Sequence, residues 1–120
     1  MSGRGGPELV ALIGEEALVR LAEAFGGTRL FVPVKMTARH EIAKAIGIEA
    51  ARKLSDRIAP DVIRVPLARE QRARHYRGAL GLSNAQVARK LGIVEPAVNK
   101  MFARMDNVPA KGSQLSLFAE

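Results

Sequence analysis

The sequence predicts a mainly helical fold in which a helical region with two short β-strands precedes a C-terminal helix-turn-helix. Three observations support this prediction. Aromatic residues make up only 4% of the chain, so its core consists mostly of Ala, Leu, Ile and Val. A helix–helix–strand pattern occurs twice in the first half, and the second half contains two helical segments around a glycine. We expect three regions: residues 1–67, 68–105 and a flexible tail at 106–120.

An ungapped internal repeat relates residues 8–34 to residues 41–67, at an offset of 33 positions. Most of the other aligned pairs conserve their chemical character, which indicates a duplication. The identical pairs are Glu8/Glu41, Ile13/Ile46, Gly14/Gly47, Glu16/Glu49, Ala17/Ala50, Leu21/Leu54, Val32/Val65 and Pro33/Pro66.

Each repeat predicts two helices and a strand. The first helix ends at Gly14 or Gly47, because glycine readily adopts the left-handed conformation of a helix end. The second helix is amphipathic, and a turn then leads into β-favouring residues that stop at Pro33 or Pro66. The apolar helix positions are Ala17, Leu18, Leu21, Ala24 and Phe25 in the first repeat and Ala50, Ala51, Leu54 and Ile58 in the second.

The two predicted strands need partners, because an isolated strand cannot satisfy its backbone hydrogen bonds. Leu30 and Val32 share one face, Ile63 and Val65 share the same face of the second strand, and the arginines point the other way. The strands can pair with each other or with a second copy of the chain. We favour pairing between copies, which makes residues 1–67 a dimerisation region and the protein a homodimer. The connector "MTARH" has the composition of a plain polar link.

The second half has the spacing of a helix-turn-helix. Ser83 caps a first helix, Gly92 takes the positive φ of the turn, and Glu95 or Pro96 opens a second helix. Ala88 is small enough for a close helix crossing, and Val94 stands where such turns usually carry a Ser or Thr cap. A helical hairpin without DNA binding is the alternative. The apolar positions expected to face inward are Val87, Leu91, Ile93, Val98 and Met101.

The charge distribution favours a polyanion partner for this half. Residues 1–66 have a net charge of +2, and residues 67–120 have +5. Ribosomal and membrane-surface proteins can have a similar charge, so the motif carries the prediction of double-stranded DNA binding. The expected base contacts are Glu95, Asn99, Lys100 and Arg104. The expected phosphate contacts are Arg69, Arg72, Arg74, Arg77, Arg89 and Lys90, with His75 nearby.

The combination resembles the Mor family of phage transcription activators, the Mu-like middle-operon regulators. The matching segments are Gly26–Pro33, Asp61–Pro66 and Arg74–Met105, and the resemblance covers roughly residues 9–105. It implies a homodimer with intertwined helices and strands, two helix-turn-helix units on a dyad-symmetric site, and activation through RNA polymerase. It also implies that the strand Val62–Pro66 approaches the DNA backbone or minor groove, with Arg64 as a phosphate contact. This chain differs in having two strand units and an acid-poor tail.

The tail has its own pattern. Residues 106–113 are rich in turn-forming residues, which is typical of a linker. The segment that follows, "QLSLF", resembles the pentapeptide by which bacterial replication and repair proteins bind the β sliding clamp, so Gln114, Leu115, Leu117 and Phe118 are candidate clamp-binding residues. Packing of these apolar residues on the dimer core, or no role at all, remains the alternative.

Other functional classes receive little support. Cysteine is absent, and His40, His75 and the scattered carboxylates form no constellation of nucleophile, base or metal ligands. We expect no enzymatic activity, no cofactor and no metal. The start "MSGRGGPE" has no apolar segment, so we expect a cytoplasmic protein with no membrane partner. The leading hypothesis is a homodimeric DNA-binding transcription regulator of phage or mobile-element type. The alternative is a clamp-tethered DNA-binding accessory protein in replication or transposition.

Overall fold

The computed structural model describes residues 6–105, with side chains from residue 8 onward, and confirms a mainly helical fold with one two-stranded antiparallel sheet. The chain divides after Ala68 into two compact units, here called unit 1 and unit 2. Within the described residues, no helix is long and apolar enough to span a bilayer. Unit 1 contains α1 (Gly6–Ile13), α2 (Glu15–Phe25), β1 (Arg29–Val32), α3 (Glu41–Ile46), α4 (Ile48–Ile58) and β2 (Asp61–Arg64); unit 2 contains α5 (Arg69–Gly78), α6 (Asn84–Leu91) and α7 (Glu95–Arg104).

Both repeats in unit 1 form the predicted helix–helix–strand sequence. The first helix of each ends at the predicted glycine, where φ is positive as in the left-handed conformation but ψ is close to that of extended backbone. Gly14 has φ 89° and ψ 161°, and Gly47 has φ 91° and ψ 152°. This combination of angles is almost confined to glycine, because a Cβ atom would clash with the backbone. Equivalent positions of the repeat therefore share an unusual backbone conformation.

The strands β1 and β2 pair with each other inside one chain, so our expectation of pairing between copies is wrong. The pairing is antiparallel, with Leu30 opposite Ile63 and Arg29 opposite Arg64. The physical reason is that α3 and α4 return the chain beside β1, which brings the second strand alongside the first. The predicted faces are confirmed: Leu30, Val32 and Ile63 are buried, and both arginines are exposed.

One hydrophobic core joins the two repeats. It includes Leu18, Leu21, Ile42, Leu54 and Val65, all of which have no exposed surface. Ala24, which we placed on the apolar face of α2, is exposed instead. The burial of side chains from both repeats in a single cluster means that neither repeat has a separate core.

The segment between β1 and α3 is more than a polar link, contrary to our expectation. Met36 is buried in the core of unit 1. His40 caps α3, because its Nδ1 accepts a hydrogen bond from the backbone N–H of Ile42 at 3.1 Å. At the start of the same connection, the Ser55 hydroxyl donates to the carbonyl of Pro33 at 2.8 Å, which satisfies a buried polar group.

Candidate nucleic-acid interface

The helices α6 and α7 are joined by the tight turn that the sequence predicts. Ser83 and Gln86 form a reciprocal cap at the start of α6: the Ser83 hydroxyl accepts from the Gln86 N–H at 3.2 Å, and the Gln86 side chain accepts from the Ser83 N–H at 2.8 Å. Gly92 ends α6 with φ 73° and ψ 31°, the left-handed conformation. The start of α7 at Val94 has no side-chain cap, as predicted.

Apolar side chains hold the three helices of unit 2 together. The helix α5 packs against α6, and α6 packs against α7. Ala88 is almost fully buried, which is consistent with a close crossing of α6 and α7. Ile93, which we placed in the core, is only partly buried. The buried side chains are Ala73, Tyr76, Val87, Ala88, Leu91, Val98, Met101 and Phe102.

The four predicted base-contacting residues all lie on exposed positions of α7. Glu95 and Asn99 are one helical turn apart, and so are Lys100 and Arg104, so the two pairs form adjacent rows. Arg104 lies 3.9 Å from the Glu70 carboxylate on α5, and both side chains are more than half exposed. An ion pair this open contributes little to stability, and Arg104 can leave it for another anion at small cost.

A chain of hydrogen bonds fixes the side chain of Asn99. Arg77 donates from Nη1 to Asn84 Oδ1 at 2.8 Å, and Asn84 donates from Nδ2 to Asn99 Oδ1 at 2.7 Å. Arginine has only donors, so it decides which amide atom Asn84 turns toward it, and Asn84 in turn decides the orientation of Asn99. The Asn99 Oδ1 atom keeps a second lone pair that can accept another hydrogen bond, and the Nδ2 of Asn99 points away from Asn84.

Arg77, which is predicted to contact phosphate, also has partners inside unit 2. Its guanidinium also lies 4.9 Å from the centre of the Phe102 ring, in cation–π geometry. No sequence pattern predicts the Arg77–Asn84–Asn99 chain of hydrogen bonds, because successive members are 7 and 15 residues apart and lie on three different helices. Asn84 is a candidate functional residue that sequence reasoning missed.

Arg72 also has structural partners. Its Nε donates to the Tyr76 hydroxyl at 3.2 Å, and its Nη2 donates to the Lys90 carbonyl at 3.2 Å. That carbonyl belongs to the last turn of α6, where backbone acceptors lack helical partners. Lys90 places its Nζ 5.1 Å from the centre of the Tyr76 ring. Arg72 thus connects α5 to the end of α6, a role that the sequence did not predict, and its phosphate contact stays a prediction.

The remaining predicted phosphate contacts differ in exposure. Arg69, Arg89 and Lys90 are exposed, whereas Arg74 and His75 are partly buried. The His75 ring lies 6.2 Å from the Tyr76 ring in an edge-on arrangement. In unit 1, Arg64 is exposed and lies directly opposite the exposed Arg29, a pair of like charges on the solvent face of the sheet.

The predicted clamp-binding residues Gln114, Leu115, Leu117 and Phe118 lie outside the described residues, as does the predicted linker. No protein family, no curated protein and no solved structure matches this chain.

Proposed function

We propose that the protein is a sequence-specific double-stranded DNA-binding transcription regulator of phage or mobile-element type, with α6 and α7 as its helix-turn-helix. The observation that carries this proposal is the exposed face of α7, where Asn99 is held by the Arg77–Asn84–Asn99 chain beside Lys100. An asparagine amide can bond to both N6 and N7 of adenine in the major groove, and a lysine can donate to guanine.

The surrounding charge supports the same proposal. Residues 67–120 have a net charge of +5, and Arg69, Arg89 and Lys90 are exposed cations in unit 2. Cations of this kind bind phosphates without reading sequence, and they release counterions on binding. Arg64 and Arg29 on the strand pair of unit 1 are further candidates for phosphate contact.

The proposal can be tested by selecting bound duplexes from a random pool and then measuring binding to the selected duplex by fluorescence anisotropy. Asn99→Ala and Lys100→Ala should each lose about 1–3 kcal/mol of discrimination against a duplex with the contacted base pair changed. Lys53→Ala is the matched control, because it removes the same charge from an exposed position on α4. The proposal is refuted if no sequence is enriched, or if both α7 variants keep the parent's discrimination.

Transcription activation through RNA polymerase rests on the Mor resemblance alone, as does a homodimer on a dyad-symmetric site. In vitro transcription from a promoter carrying the selected site tests the first: a rise in transcript supports activation, and a fall indicates a repressor. The symmetry of the selected site tests the second. A homodimer requires contacts other than the β1–β2 pairing, since that pairing is made within one chain.

A second candidate function is supported by the tail sequence. The segment Gln114–Phe118 matches the clamp-binding pentapeptide at every position, which favours a clamp-tethered accessory protein. A fluorescent peptide of residues 112–120 should bind purified β sliding clamp and should lose binding when Leu117 and Phe118 become Ala. A peptide that does not bind eliminates this candidate and leaves the DNA-binding proposal untouched.

A further inference from the structure

The pairing of β1 with β2 follows a local two-fold axis that relates the two repeats. The repeat offset makes Leu30 equivalent to Ile63, and these two residues are also direct partners in the sheet. The next pairs are Arg29 with Arg64 and Phe31 with Val62, and the same axis exchanges one pair with the other. Any antiparallel pair of strands has a local two-fold axis, and here that axis passes through equivalent positions of the two repeats.

The contacts between the helices have the same two-fold arrangement. The first helix of each repeat packs against the second helix of the other repeat, α1 against α4 and α3 against α2, as well as against its own neighbour. The repeats are therefore interlocked rather than placed side by side.

Burial follows the repeat as well. Equivalent positions have nearly equal burial, as in Leu9 and Ile42 or Leu21 and Leu54. A departure is position 19, where a buried valine stands in place of the exposed Arg52. The core of unit 1 is thus built from two matching halves of one chain.

We infer that the second repeat takes the place that a second copy of the chain would occupy in a two-fold dimer of single repeats. Unit 1 is then a complete two-fold unit made by one chain, and the protein works as a single copy with one α6–α7 pair. The connection inside the chain gives the two repeats an effective concentration in the millimolar range, so a second copy cannot compete for the same contacts at ordinary concentrations.

The molecular mass in solution tests this inference without reference to DNA. Sedimentation velocity from about 1 to 100 µM should give one species near the chain mass of 12.9 kDa. A species of twice that mass across the range overturns the inference.

A cross-link tests which strand pairs with which. The chain contains no cysteine, so Phe31→Cys with Val62→Cys introduces a single pair of thiols at directly opposite, exposed positions. Directly opposite residues have Cβ atoms close enough for a disulfide. Oxidation should give a cross-linked chain of monomer mass on a non-reducing gel, with Phe31→Cys alone as the control. A covalent dimer formed by the double variant, but not by the control, overturns the inference.

The consequence for DNA rests on the proposed function. A single copy should select a site without dyad symmetry and should bind it as one protein per duplex. A dyad-symmetric site occupied by two copies overturns the single-copy inference. If no site is selected at all, the DNA-binding proposal fails while the mass and the cross-link still decide the role of the repeat.

Discussion

Replacing Asn84 with alanine tests whether Asn99 is oriented before DNA arrives. In the parent, Arg77 holds Asn84 Oδ1 at 2.8 Å and Asn84 holds Asn99 Oδ1 at 2.7 Å. Without Asn84, the Asn99 side chain gains rotamers and its amide can turn over. Immobilising such a side chain at an interface costs about 0.5–1.5 kcal/mol. Preference for adenine at the contacted position should therefore fall roughly twofold to twelvefold.

The assay is fluorescence anisotropy with the selected duplex and with a duplex changed at that one base pair. The four proteins are the parent, Asn84→Ala, Asn99→Ala and the double variant, which together form a double-mutant cycle. Since Asn84 acts through Asn99, its replacement should change nothing once Asn99 is alanine. An equal loss of preference in both backgrounds would refute the reasoning.

A second substitution separates orientation from packing. Asn84→Asp keeps an oxygen that accepts from Arg77 but has no N–H to donate to Asn99. Two acceptors then face each other, so Asn99 should turn its Nδ2 inward and present its oxygen to the DNA. We expect a loss of adenine preference at least as large as in Asn84→Ala, with little change in melting temperature. An undiminished preference would contradict the proposed role of the hydrogen-bond chain.

Three further predictions use the same protein. Arg72→Ala should lower the free energy of unfolding by about 1–2 kcal/mol, because it removes a hydrogen bond to the Tyr76 hydroxyl within α5 and one to the Lys90 carbonyl of α6. Arg89→Ala should instead leave the melting temperature unchanged and reduce the slope of log affinity against log salt by about 1. The opposite pattern in these two variants would show that the roles are reversed. Gly47→Ala should lower the free energy of unfolding by about 1–3 kcal/mol, because φ is 91° at this position. No atom beyond the neighbouring residues lies within 4 Å of the added Cβ, so the whole cost is local backbone strain. An unchanged thermal melt would mean that the backbone relaxes freely. Arg64→Ala should raise stability by a few tenths of a kcal/mol, because a like charge opposite Arg29 is removed, and should weaken binding to all duplexes; unaltered affinity would remove it from the phosphate contacts.

The sequence was informative where local chemistry decides the structure. The end of α3 at Gly47, the cap at Ser83 and the turn at Gly92 follow from conformations that only a few residue types favour. The alternation of apolar residues predicted the buried faces of both strands, because successive side chains of a strand point to opposite faces. The exposure of Asn99 and Lys100 followed from the helical period of α7.

The sequence was uninformative where the choice of partner decides the structure. A strand pattern states which face is buried but not which edge it meets, and so it could not separate pairing within the chain from pairing between copies. The same limit applies to Arg72 and Arg77. A cluster of arginines looks the same in a sequence whether or not its members also bind groups of their own unit. Here those groups are a backbone carbonyl and a side-chain amide.

The solvent face of the sheet shows what duplication within one chain permits. If both repeats carried the same residues, the two-fold axis would place each arginine opposite an apolar residue. The repeats have diverged instead, to Arg29 and Phe31 in one and to Val62 and Arg64 in the other. Antiparallel pairing therefore puts both arginines at one end of the β1–β2 pair and Phe31 with Val62 at the other end. Phe31 is 54% exposed and Val62 is 43% exposed. Two identical chains cannot separate charge from apolar surface in this way about their own axis. The unequal ends of the strand pair thus show, independently of the core, that the two repeats of one chain are no longer interchangeable.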